Sequence, residues 1–209
     1  MRLRTSLTSP FGRKARMAAL RLGFNDLEVL DADTTNPADE IRKDNPLGKV
    51  PLLILDDGRR VYDSRVILEC FDHMAGAGSL IPVAWDDRLR TLTFQSLADG
   101  VTDAAVLVSY ETRYRAEEIR SAKWLDHQRG KILRGLASLT QAAPDPGRFD
   151  VATIATACML GYLDWRKQVD WRADFPALVP WLDAFRAAAP EFDATARPLP
   201  EAAPEPAGD

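Results

Sequence analysis

The amino-acid sequence predicts two parts of different class: an α/β domain with the element order β-α-β-α-β-β-α over residues 1–76, and an all-α domain over residues 86–197. Three observations carry this division. Strand, helix and strand patterns follow one another between Arg2 and Leu30, a βαβ unit that requires a parallel strand pair and a right-handed crossover. The apolar run Leu52-Leu53-Ile54-Leu55, the turn Asp56-Asp57-Gly58 and the return Arg60-Val61-Tyr62 make an antiparallel hairpin. From Asp86 onward every patterned stretch has helical spacing.

Leu3, Thr5 and Leu7 alternate with Arg2, Arg4 and Ser6, the period of a strand with one buried face. Thr8-Ser9-Pro10-Phe11 has the form of a helix start, with a hydroxyl residue at the cap and Pro in the first turn. Ala15, Ala18, Ala19 and Leu22 continue at helical spacing, and Gly23 marks the stop. A short strand fits residues 27–30, and the polar stretch 33–44, with Pro37, predicts at best a short irregular helix. After the hairpin, Asp63-Ser64 opens a helix whose apolar positions are Val66, Ile67, Cys70, Phe71 and Met74. Residues 77–85 are the expected linker, since 76–82 is small, Gly-containing and lightly patterned. Helices are then predicted over 86–110, 116–140, 151–169 and 175–188, with Pro144-Asp145-Pro146-Gly147 as a break and Asp150 and Thr153 as reciprocal partners in a helix cap. The Pro/Ala/Glu-rich segment 198–209 offers little to bury and is assigned no function.

At 209 residues, 46% apolar and 28% charged, the chain has the composition of an ordinary soluble globular protein. A formal charge of −4 argues against general nucleic-acid binding, and Arg2, Arg4, Arg13, Lys14, Arg16 and Arg21 read as mostly solvated faces. Cys70 and Cys158 lie far apart in apolar periodic stretches and read as buried structural thiols. No apolar run approaches membrane-spanning length and no signal-peptide core opens the chain, so no membrane partner is expected and the cytoplasm is the expected compartment. His73 and His127 neighbour no serine or cysteine in a nucleophile motif. There is no paired His, CxxC or Gly-rich phosphate loop, so metal, dithiol and nucleotide chemistry are unsupported. Trp165 and Trp171 read as core.

The chemistry concentrates around Asn45-Pro46-Leu47-Gly48-Lys49-Val50-Pro51, which runs straight into the apolar strand. Pro51 cannot donate to a ladder and holds Val50 extended. One reading is a trans Pro opening an edge strand; the other is a cis bond, the form of about one X–Pro bond in twenty, which turns the backbone N–H and C=O of Val50 toward a ligand. Two helix N-termini, at Ser9 and at Ser64, converge on the same sheet edge with Val50-Pro51 between them. That arrangement suits an extended anionic peptide: a carboxylate at Ser64, an ammonium beside Asp63, a thiolate at Ser9, and the middle paired with Val50 as an added strand.

These residues carry a resemblance. The β-α-β-α-β-β-α order with Asn45 to Pro51 and Asp63-Ser64 is similar to the thioredoxin-like domain of glutathione S-transferases, and the helical remainder resembles their C-terminal domain, so the likeness covers residues 1–195. The resemblance implies a cis Pro51 and glutathione as co-substrate, with no other cofactor. It places the γ-glutamyl group at Asp63 and Ser64 and the cysteinyl backbone at Val50, with Phe11, Lys49 and Pro51 in the same site. It also implies a two-fold homodimer and a small electrophile as second substrate. In omega-like members a Cys stands directly before Pro-Phe, where this chain has Ser9; a hydroxyl cannot exchange disulfides, which favours activation of a bound thiolate. In other serine-using members the active hydroxyl lies two residues before the Pro, here Thr8, so Ser9 ranks first and Thr8 second as catalytic residue. Ser9 has a further reading as a plain helix cap, and the two roles are compatible. Asp99 and Asp103 share a helix face and, with Tyr110, line either the acceptor cleft or a solvated face or subunit seam. The readings that compete with conjugation are a regulator or scaffold using the fold as a protein-binding surface, for which the N-terminal basic residues would serve, and a glutathione-dependent peroxidase.

Overall fold

The structure, a computed structural model, describes residues 1–197; the segment 198–209 lies outside the described residues. Strands β1 (Arg2–Thr5), β2 (Glu28–Asp31), β3 (Leu52–Ile54) and β4 (Arg60–Val61) form a four-stranded sheet in the order β2-β1-β3-β4. The β1–β2 pair is parallel with Leu3 opposite Val29; β1–β3 and β3–β4 are antiparallel, with Leu53 opposite both Leu3 and Val61. Helices α1 (Pro10–Arg21), the four-residue α2 (Ile41–Asp44) and α3 (Ser64–Met74) complete the expected order.

The uninterrupted apolar run of β3 follows from burial on both faces. Leu53 joins Leu3, Ala15, Ile67 and Phe71 in the main core, whereas Leu52 and Ile54 turn to the opposite face under Ile41 of α2. Strand β1 ends at Thr5, earlier than the alternation predicts. The chain turns there, with the Ser9 N–H donating to the Ser6 carbonyl, and Leu7 is left 46% exposed. In α3 the predicted apolar face is two stripes. Ile67, Leu68 and Phe71 are buried, while Val66 and Met74, at i and i+8 with half-buried Cys70 between, look outward.

The helical part comprises α4 (Trp85–Tyr114), a 3-10 turn (Glu117–Ile119), α5 (Ala122–Gln141), α6 (Val151–Arg166), α7 (Trp171–Asp174), α8 (Leu178–Ala188) and α9 (Glu191–Ala194). Its boundaries differ from the periodicity reading where caps decide. α4 continues to Tyr114, and α5 begins only after Ser121, whose hydroxyl accepts from the Trp124 N–H. The reciprocal cap at α6 is present: Asp150 accepts from the Thr153 N–H at 3.0 Å, and Thr153 accepts from the Asp150 N–H at 3.1 Å. The segment expected as a linker is held down, because the buried carboxylate of Asp72 accepts from the backbone N–H groups of Gly78, Leu80 and Ile81, and the side chains of Leu80 and Ile81 are buried. Trp171 is buried, as expected for core, whereas Trp165 is half-buried; His73 and His127 are exposed.

The basic residues near the N-terminus are mostly not solvated. Arg4 pairs with Asp44, Arg13 lies over the Phe192 ring and donates to its carbonyl, and Arg21 pairs with Glu191. Lys14 is 1% exposed and pairs at 2.5 Å with Asp99 of α4. The charged face of α1 is therefore an internal docking face, because α4, α8 and α9 bring it acceptors and Phe149 and Phe192 bring it aromatic rings. This removes the basic patch on which a protein-binding scaffold reading rested. No described helix is long and apolar enough to cross a membrane.

Candidate functional site

Residues 45–51 form a loop shaped by one side chain. The Asn45 amide accepts from the Leu47 N–H at 3.0 Å and donates to the Lys49 carbonyl at 2.8 Å, while Gly48, at φ +59°, adopts the left-handed conformation that glycine tolerates. The loop delivers Val50 to a cis bond with Pro51. Among the described residues nothing hydrogen-bonds the N–H or carbonyl of Val50, so both remain available to an added strand.

Both helix N-termini are capped as their sequences dictate. At α3 the Asp63 carboxylate accepts from the Arg65 N–H at 3.0 Å and pairs with the Arg65 guanidinium at 3.0 Å. Burial opposes ionisation of Asp63, but the hydrogen bonds and charge of Arg65 outweigh it and hold its carboxyl below the ordinary value. Ser64 is buried at the first helical position, and neither its N–H nor its hydroxyl has a partner among the described residues. At α1 the Ser9 hydroxyl accepts from the Gly12 N–H at 3.0 Å. Gly12 lets this turn press onto β1: a Cβ there would meet Thr5 Oγ1 at 1.8 Å. With Pro10 lacking an N–H and those of Gly12 and Arg13 used by Ser9, the Phe11 N–H is the first-turn donor without a partner among the described residues.

These elements enclose two adjoining cavities. One, of about 140 Å³, is lined by Phe11, Lys49, Val50, Pro51, Asp63 and Ser64, together with Asn45, Tyr62, Arg65, Asp99 and Asp103. The other, of about 410 Å³, runs from Ser6, Thr8 and Ser9 along α4 past Asp103, Val106 and Tyr110 to Arg113, with Tyr162 and Arg166 of α6 opposite. Phe11, Lys49, Val50 and Asp103 line both. Every residue predicted for the site thus borders one or both cavities. Sequence reasoning missed Asn45 as the organiser of its own loop, and Arg65, Arg113, Tyr162 and Arg166. Arg113 lies one helical turn beyond Tyr110, but ending the helix at 110 removed it from view.

Residues 8–74 match the family described as glutathione S-transferase, N-terminal domain. An Escherichia coli K12 relative, the uncharacterized GST-like protein YibF, is 36% identical over 184 residues, which span 86% of this chain and 90% of that protein. The chain belongs to the glutathione S-transferase family. A glutathione transferase family member from Pseudomonas fluorescens Pf-5, solved with bound glutathione, superposes with a TM-score of 0.89 at 40% identity, over 95% of this chain and 99% of that one. A glutathione S-transferase from Methylobacillus flagellatus KT, also solved with glutathione, gives 0.84 at 37% identity, over 93% and 98%. The fold is accordingly the family's thioredoxin-like N-terminal domain followed by its helical domain.

Within this transferase-family site the two candidate hydroxyls differ. Ser9 Oγ accepts a hydrogen bond from the α1 backbone and borders the larger cavity, whereas Thr8 is exposed and 3.1 Å from the Ser6 hydroxyl. Of the two cysteines, buried Cys158 has its thiol pushed up to about 11, so it is not a nucleophile. Among the described residues no cluster of three or more His, Cys, Asp or Glu side chains is placed to hold a metal ion.

The Asp99–Asp103 face is split in role. Asp99 is spent on Lys14, while Asp103 opens onto the cleft. Desolvation by the cleft walls, then the neighbouring Asp99 charge, raises the Asp103 pKa above its ordinary 3.8. The fold therefore favours protonated Asp103: the stability this contributes is present below pH 3.8 and is lost as pH rises through the raised folded value. Asp103→Asn is expected to melt at a higher temperature than wild type at pH 7, with the difference closing as pH falls toward 3.8. Melting curves of both proteins across that range check it.

Proposed function

We propose that this protein conjugates glutathione, held as a thiolate, to small electrophiles, with residues 1–76 binding glutathione and 86–197 forming the acceptor side of the cleft. The observation that carries this reading is the arrangement of three features: an unpartnered Val50 backbone between two helix N-termini, one bearing Asp63 and Ser64 and the other Ser9. In this reading the γ-glutamyl carboxylate takes the Ser64 N–H and hydroxyl, where the helix dipole and Arg65 favour an anion. Its ammonium faces Asp63. The cysteinyl backbone pairs with Val50, and its sulfur lies toward Ser9 and the Phe11 N–H. Two donors and the positive end of α1 stabilise the thiolate over the thiol. The sulfur then attacks an electrophilic carbon in the larger cavity: a C–S bond forms, and the displaced group leaves with its bonding pair. Glutathione bound in the P. fluorescens and M. flagellatus relatives supports the co-substrate. A further P. fluorescens structure, of a glutathione transferase family member with S-(propanoic acid)-glutathione, supports a thioether product.

Retention on immobilised glutathione, followed by conjugation assays with a panel of small electrophiles, tests the reading. Binding and saturable conjugation are expected; absence of binding at millimolar glutathione overturns it.

We further propose a two-fold homodimer through the outer stripe of α3 and the start of α4. Val66 and Met74 of α3, Trp85 and Leu89 of α4, and Val83 just before α4 are exposed large apolar side chains, with Val83 77% and Trp85 70% exposed. Trp85→Glu is expected to shift sedimentation at micromolar concentration from dimer toward monomer.

A further inference from the structure

Resting on the conjugation reading and deepening it, we infer that the acceptor cleft selects small electrophiles that carry a carboxylate, held by Arg113 and Arg166. Both arginines stand in the last turn of their helices, α4 and α6, and both line the larger cavity beyond Ser9. Two cations that reach inward near this site are spent, half-buried Arg4 on Asp44 and buried Lys14 on Asp99. Arg113 and Arg166 both line the cleft and have no carboxylate within ion-pair distance among the described residues.

Arg166 is also held in place. Its Nε donates to the Tyr162 hydroxyl at 3.1 Å, and its guanidinium lies 3.8 Å from the centre of the Trp165 ring, which Arg197 contacts as well at 3.5 Å. Stacking and one hydrogen bond fix the plane of the fork, while among the described residues its terminal nitrogens have no acceptor, a preorganised half of a bidentate carboxylate pair. Arg113 lies 5.5 Å from the Tyr110 ring centre, which sets it against the same wall. The charges facing this space are Lys49, Arg113 and Arg166 against Asp103, with Asp33 near the Arg113 side. Asp33 is itself hydrogen-bonded to Thr35. The far end of the cleft is thus cationic, and Asp103 sits where the two cavities meet.

A carboxylate held there orients its electrophilic carbon back toward Ser9. For a 2-halocarboxylate the step balances without a further reactant: the thiolate sulfur donates its pair to the carbon bearing the halogen, the C–S bond forms, and the halide leaves with the C–X pair.

Calorimetry with the whole protein separates this from the reading beneath it, using S-methylglutathione, S-carboxymethylglutathione and its neutral isostere S-carbamoylmethylglutathione as ligands. The carboxymethyl compound is expected to bind about tenfold tighter than the carbamoylmethyl one, the size of a charge-assisted hydrogen bond. In the Arg113→Gln/Arg166→Gln double variant that preference should vanish while affinity for S-methylglutathione stays the same; Arg166→Lys, which keeps the charge without the fork, should retain part of it. If S-methylglutathione binds but the two isosteres bind equally in wild type, this inference is overturned and the glutathione reading stands. If none of the three binds, both fall.

Discussion

Replacing Ser9 by Ala is expected to lower kcat/KM for conjugation on the order of 100-fold, the cost of removing one positioned donor from a developing or bound anion. The same substitution removes the α1 cap, in which Ser9 Oγ accepts from the Gly12 N–H, at about 1 kcal/mol of stability. The two effects separate with Ser9→Gly, since glycine is tolerated at a cap within a few tenths of a kcal/mol. Steady-state kinetics and urea unfolding of both variants should show matching catalytic losses and unequal stabilities. Thr8→Ala, on an exposed hydroxyl already near that of Ser6, is expected to change the rate little. A catalytic loss in Thr8→Ala without one in Ser9→Ala would transfer the role to Thr8.

Lys14→Met is expected to cost roughly 3–5 kcal/mol of folding stability, because it strands the Asp99 carboxylate in a buried site without its partner. The double variant Lys14→Met/Asp99→Leu should recover most of that loss, since both desolvated charges are then gone. Urea unfolding of wild type, the single and the double variant measures the cycle; a single-variant cost below ~1 kcal/mol would contradict the assignment of this contact as a buried pair. The pair also joins α1, which carries Ser9, to α4, which carries Asp103 and Tyr110. The single variant should therefore raise KM for the acceptor as well as lower stability, an effect the double variant reduces by restoring packing.

Much of this site was legible in the chain because its determinants are local. The caps at Ser9, Asp63 and Asp150 each depend on a side chain reaching a backbone N–H two or three residues away. The cis form of Val50-Pro51 was not legible in this way: the commoner trans bond fits the residues taken alone, and only the family resemblance implied cis. What else was not legible depends on residues far apart in sequence. Lys14 looks like a solvated lysine until Asp99 arrives from α4, 85 positions away. Val66 and Met74 look like core beside Ile67 and Phe71; helical spacing admits two stripes, and only the packing of α3 on the sheet tells which one faces inward. Arg113 and Arg166 share a cleft only because α4 and α6 run side by side. That side of the cleft is built from helix faces, which carry no local motif.

The most direct test of the account is a pH titration of the thiolate absorbance of bound glutathione. Ordinary thiols titrate near 8.5. With Ser9 Oγ and the Phe11 N–H at the α1 terminus directed to the sulfur, the bound thiol should titrate at least about one pH unit lower in wild type and return toward the free value in Ser9→Ala. A bound thiol that titrates like free glutathione, or with a depressed pKa unchanged in Ser9→Ala, would contradict it.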